Sequence, residues 1–240
     1  GGATYTWNIT SSLVQITIDN LQTSFYWLGA SIPGADKVWS VANWARDVSG
    51  ATPGSQSPSS SYLVYLSANN ASAANQLGMT LGADLGLLGI IVTTGSPSTL
   101  LNDGYTLTTG SSGISMASGA GAFSIAPAMV LAAGQSWINS GAGTLTVSGS
   151  IATAGNALEI GGSGSTVLSG IINGAGSVSK VGAGSLWLTG ANTYTGSTTV
   201  TAGTLNTASG ALESTSQINV AGSGALKAVN LSSNAVLSLS

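Results

Sequence analysis

The sequence predicts an all-β chain: a parallel β-solenoid with an atypical, aromatic-rich N-terminal region. Three observations predict it. Short runs alternate aliphatic with small polar residues, and period-two alternation is the signature of a strand. Gly-x-Gly pairs punctuate those runs at recurring intervals, as turns between short strands do. Charged side chains make up only 5 % of the 240 residues, against about 25 % in an ordinary soluble domain.

The low charge follows from the architecture. Coils of a solenoid stack about 4.8 Å apart, so each side chain meets its counterpart on the next coil. Like charges directly opposite destabilise a sheet, whereas Ser, Thr and Asn ladders are tolerated. Ser, Gly, Ala and Thr, at 39, 35, 32 and 26 copies, supply 132 of the 240 residues. Disorder is not expected, because the hydrophobic content is 43 % and the mean hydropathy +0.38.

Residues 1–80 are expected to form a β-rich cap or assembly region. TYTWNIT and SLVQITI near the start are strand-like. Pro33-Gly34 and Pro53-Gly54 read as turns, and residues 50–61 (GATPGSQSPSSS) as a surface loop. Trp7, Trp27, Trp39 and Trp44 fall in this part. They are expected to cover the open end of the solenoid.

Residues 81–240 carry the repeats. Related units begin at Gly141, Gly162, Gly174, Gly182 and Gly222. Within them, Leu145 and Val147 would face inward, as would Leu158 and Ile160, with Glu159 outward. Leu186 and Leu188 would face inward with Trp187 outward. Coils of about 20 residues would give on the order of eight turns, a rod of roughly 40 Å. Asp103-Gly104 reads as a turn.

Residues 162–205 read GSGSTVLSGIINGAGSVSKVGAGSLWLTGANTYTGSTTVTAGTL. This stretch closely resembles the autotransporter-associated β-strand repeat, also called the passenger-associated transport repeat. Gly174, Gly176, Val178, Lys180, Gly182, Gly184, Leu186, Leu188, Gly190, Asn192, Tyr194, Gly196, Thr198, Val200, Gly203 and Leu205 stand at the family's motif positions. The resemblance extends more weakly over residues 101–240. It implies a right-handed parallel solenoid, exported and displayed on or released from bacterial cells. It implies no catalytic residues, and structural roles for Gly182, Gly184, Leu186, Leu188, Asn192, Tyr194 and Gly196.

Composition excludes several chemistries. There is no His and no Cys, hence no zinc site of imidazole or thiolate and no Ser-His-Asp triad or Cys-His dyad. Four basic residues, Lys37, Arg46, Lys180 and Lys227, cannot track a phosphate backbone, so nucleic acid is not an expected partner. No run approaches the ~18 apolar residues of a membrane helix, so no membrane insertion is expected of this chain. The units lack the Asp of Ca²⁺-binding nonapeptide repeats. Asp36, Lys37, Arg46 and Asp47 form the densest charge cluster and read as solvated loop residues. No cofactor or metal is expected, and no enzymatic activity.

Three functional readings remain. The leading one is an extracellular structural protein that self-assembles end to end into a filament or surface layer, with copies of itself as partner. A solenoid has unpaired strand edges at its ends, and the C-terminal Leu237 and Leu239 still alternate with Ser. The second is a passenger or adhesin stalk presenting a glycan- or surface-binding face. The third, a polysaccharide-active enzyme, has few ionisable residues to support it. Trp7, Trp39, Trp44, Trp187, Leu237 and Leu239 are the candidate assembly or contact residues. Trp187 and Tyr194 are the aromatics weighed for sugar stacking. The expected location is extracellular or at the bacterial cell surface.

Overall fold

A computed structural model describes residues 4–10, 13–19, 23–29, 37–54, 56–66, 73–228 and 236–239. Among them the regular structure is β, apart from a single 3-10 turn at Ala73–Gln76. Thr4–Thr10 and Leu13–Asp19 form a two-stranded antiparallel sheet, with Trp7 opposite Ile16. All other strands join one 19-stranded sheet, wound as the expected solenoid.

Its pairings are parallel except where Ser24–Trp27 meets Trp44–Ala45. Each coil contributes strands to three faces, and equivalent positions stack in register columns. Along one face the column runs Phe25, Val64, Ile90, Ile114, Trp137, Ile160, Lys180, Val200, Val220, Leu239. A second holds Leu100, Ile125, Val147, Leu168, Leu188 and Thr207. A third holds Leu85, Leu107, Met129, Ile151 and Ile172. From Ile90 to Leu239 the solenoid makes about seven turns. The parallel ladder expected over 81–240 also takes in Ser24–Trp27 and Leu63–Leu66 upstream of it.

The alternation reads as expected. Leu145, Val147, Leu158, Leu186 and Leu188 are fully buried and Ile160 nearly so, while Trp187 points outward. Coil length tracks core filling. Ile114, Trp137 and Ile160 lie 23 residues apart, whereas Ile160, Lys180, Val200 and Val220 lie 20 apart. The longer coils enclose Phe123 and Trp137, and the shorter ones are filled mainly by Leu, Ile and Val. A close-packed interior requires this match of perimeter to side-chain volume.

At the N-terminal end Trp27, Trp39 and Trp44 are fully buried. Their rings lie 5.0 to 6.3 Å apart, within the range favoured by aromatic pairs. Each indole N–H finds an acceptor: Asn75 O at 3.1 Å, Met79 Sδ at 3.3 Å and Trp39 O at 2.9 Å, respectively. The cluster is continuous with the aliphatic core. Pro33-Gly34 lies outside the described residues.

Candidate functional site

The segment from Val178 to Asn206 holds the densest set of motif residues. Strands Val178–Lys180, Ser185–Leu188 and Thr198–Thr207 carry it. Between the last two, residues 189–197 form a gap without strand. In it the amides of Thr189, Thr193, Tyr194 and Thr195 still bond carbonyls of the preceding coil, and side chains add further bonds.

Asn192 bridges that gap. It is 3 % exposed. Its Oδ1 accepts from the Ile172 N–H at 2.8 Å, one coil back. Its Nδ2 donates to Ala211 O at 2.9 Å, one coil forward. A carboxamide has the donor and acceptor of a peptide group, which is why Asn rather than Ser or Thr suits the position.

Tyr194 is buried, and its hydroxyl lies 2.6 Å from Thr198 Oγ1. Thr198 Oγ1 lies 3.0 Å from Thr215 Oγ1, which donates to Gly196 O at 2.7 Å. The three hydroxyls form a chain that ties the 189–197 connection to the next coil. Burial pushes the phenol up to about 12. The ring offers no stacking surface for a sugar, which removes Tyr194 from the candidate contacts.

The motif glycines sit where backbones touch. A Cβ on Gly184 would lie 2.0 Å from Gly164 O, and one on Gly196 would lie 2.3 Å from Gly176 O. Gly182 adopts φ +71°. Leu186 and Leu188 fill two neighbouring core columns beside them.

Lys180 was expected only as a motif position and one of four scattered cations. It occupies a core column, between Ile160 and Val200, and is 2 % exposed. Its Nζ donates to Val181 O at 2.5 Å, Gly182 O at 2.7 Å and Ala202 O at 3.3 Å. Burial lowers its pKa, because the charged form loses hydration.

The candidate contact residues divide. Trp39 and Trp44 are 0 % exposed and structural, since their rings lie inside the aromatic cluster; neither is available to a partner. Trp187 is 45 % exposed, in an outward column between Val167 and Asn206. Leu237 and Leu239 are 49 % and 73 % exposed. They pair with Ile218 and Val220, so they continue core columns into solvent. Trp7 lies in the antiparallel ribbon, and its side chain is outside the described residues.

Among the described residues the charge cluster does not converge on a common site. Lys37 donates to the Ala74 and Leu77 carbonyls. Asp47 organises its own loop, accepting from Ser49 N at 2.9 Å and Thr52 N at 2.8 Å. Hydrogen bonds from Ser49 and Thr52 hold its carboxyl well below the usual carboxylate range. Asp36 lies outside the described residues.

Two dispersed aspartates have a role that sequence did not reveal. Asp84 accepts from Thr106 N at 2.8 Å and Asp103 from Gly82 N at 2.6 Å, bracing one coil to the next in both directions. Gly104 has φ +92°, in agreement with the expected turn. Among the described residues no group of three or more His, Cys, Asp or Glu could hold a metal. No helix among them is long and apolar enough to cross a membrane.

Residues 178–206 match the passenger-associated-transport-repeat. The matched span holds Lys180, Asn192 and Thr198, three of the residues whose side-chain bonds join successive coils. In this chain the repeat is a set of inter-coil fasteners. No curated protein and no solved structure matches the chain.

Proposed function

We propose that this chain is a non-enzymatic structural rod at the cell surface or outside the cell, and that its units associate end to end. The repeat and the solenoid fold fit a passenger-like protein, and this repeat suggests a surface or secreted location. The observation that carries the assembly reading is strand Val236–Leu239. Its two leucines extend apolar core columns and stand 49 % and 73 % exposed, so they call for a further coil, supplied in this reading by another copy and otherwise by a continuation of the same chain. An uncharged strand edge of this kind templates further pairing. End-to-end contact is heterologous and need not close, so it yields a filament. The partner in this reading is another copy of the chain, and nucleic acid is none.

Electron microscopy of the purified protein across a concentration series tests this. Filaments with an axial repeat of one subunit are expected, and Leu237→Lys should stop their growth. Short monodisperse rods at every concentration would overturn it.

A second reading rests on Trp187. Its exposed indole stands in a column between Val167 and Asn206 and supports glycan or surface contact by a passenger or adhesin stalk. Under that reading Trp187→Ala abolishes retention on a glycan array that the parent chain binds. Lack of retention of the parent would count against it.

A further inference from the structure

Lys180 is the one charged residue in the buried core among the described residues. Its position in the column is that of an aliphatic side chain, with Ile160 on one side and Val200 on the other. Its bonding partners are three backbone carbonyls, with no carboxylate among them. Two of the oxygens, on Val181 and Gly182, belong to its own coil. The third, on Ala202, belongs to the next.

The cradle stands at a corner of the coil where the regular ladder fails. Pairing of the Lys180 coil with the next stops at Lys180–Val200 and resumes at Ser185–Thr204, which leaves four residues, 181–184, opposite three, 201–203. Gly203 has φ +69°, and a Cβ there would come within 2.8 Å of Lys180 Nζ. Carbonyls that a strand would pair with N–H groups converge here on one point. Converging carbonyl oxygens favour a cation. The same corner two coils earlier is served by Asn139, whose Nδ2 donates to Gly143 O at 2.9 Å and Ser165 O at 2.7 Å.

We infer that this corner is a cation-binding cradle of the monovalent ammonium class, which the chain fills with its own Lys180. The ammonium and the three carbonyls fasten consecutive coils where the sheet cannot. The stem contributes packing, and the charge contributes the fastening. A cradle emptied of the side chain should therefore accept a small free alkylammonium ion. This inference stands apart from the assembly reading, since it concerns a single chain.

The test compares the 240-residue chain with Lys180→Met and Lys180→Ala. Methionine keeps most of the stem and removes the charge. Alanine leaves room for n-propylammonium. Thermal unfolding is followed with n-propylammonium chloride, with sodium chloride at equal ionic strength, and with n-propanol. Lys180→Met should lower the midpoint by at least ~4 °C, a loss of the size that missing bonds to buried carbonyls produce in a chain this long. In Lys180→Ala, n-propylammonium should restore at least half of the lost midpoint, with no comparable effect of sodium chloride or n-propanol. Should the alanine variant not fold in plain buffer, the folded fraction after dilution from denaturant with each additive reports the same contrast. A methionine variant as stable as the parent would overturn the inference, because a buried charge without a cradle is a liability that an apolar residue relieves. Equal rescue by n-propanol, or none by n-propylammonium, would overturn it too.

Discussion

The Tyr194 hydroxyl lies 2.6 Å from Thr198 Oγ1, inside the core. The bond closes the segment from Tyr194 to Thr198, and the hydroxyl chain continues to Thr215. Tyr194→Phe keeps the ring and removes the bond. It should cost about 1 kcal/mol, the usual net worth of a buried neutral hydrogen bond. Chemical denaturation at pH 7 measures it.

The same residue predicts a pH dependence with a definite sign. The folded phenol titrates near 12 and the unfolded one near 10.0. Above pH 10 the unfolded chain releases a proton that the folded chain retains. Stability from Tyr194 is therefore complete below pH 10 and falls as pH rises towards 12. The loss is about 2 kcal/mol at the upper limit. Tyr194→Phe should flatten the decline over this window. A parent and variant with parallel curves from pH 10 to 12 would contradict the assignment.

How much of this was legible in the sequence depends on the side chain. Alternation placed Leu186 and Leu188 inward and Trp187 outward, because sheet geometry has a strict period of two. The motif spacing located the repeat. The fate of Trp39 and Trp44 was not legible, since an aromatic near a solenoid end serves equally well as cap, core or contact. Lys180 was invisible as a core residue, because a lysine at an inward position normally argues against burial. What makes it tolerable is the corner of carbonyls, and those come from residues whose identities carry no signal. Asp84 and Asp103 were unreadable for the same reason: their partners are backbone N–H groups one coil away.

Asn192 yields a prediction at residue resolution. Replacing it with Leu leaves the Ile172 N–H and the Ala211 carbonyl without their partners. Each unpaired buried group costs about 1–3 kcal/mol. Asn192→Leu should destabilise by about 3 kcal/mol or more. Hydrogen exchange should show the Ile172 amide losing protection well before amides of the coil around Trp137.

Thr166 predicts the opposite sign. It is buried between Leu145 and Leu186 in a core column, and its Oγ1 has no hydrogen-bond partner. A valine has the same shape and no hydroxyl to desolvate. Thr166→Val should raise stability by about 1 kcal/mol, seen as a shift of roughly 3 °C in thermal midpoint. Thr166→Ser, which keeps the hydroxyl and loses the methyl, should lower it.

Gly170 and Gly104 separate two reasons for glycine. A Cβ on Gly170 would stand 1.9 Å from Gly149 O, a backbone atom with no rotamer to give way. Gly170 is itself the close neighbour that excludes a Cβ from Gly190, at 2.5 Å. An alanine at Gly170 must therefore force adjacent coils apart along a whole corner. Gly170→Ala should cost about 3 kcal/mol, the upper range for overpacking, and weaken exchange protection in the coils on both sides. Gly104 has φ +92° but nothing within 4 Å of a Cβ. Its substitution meets only backbone strain, about 1 kcal/mol, confined to one turn. Equal losses at the two positions would mean that coil spacing is more compliant than the contacts at Gly149, Gly170 and Gly190 require.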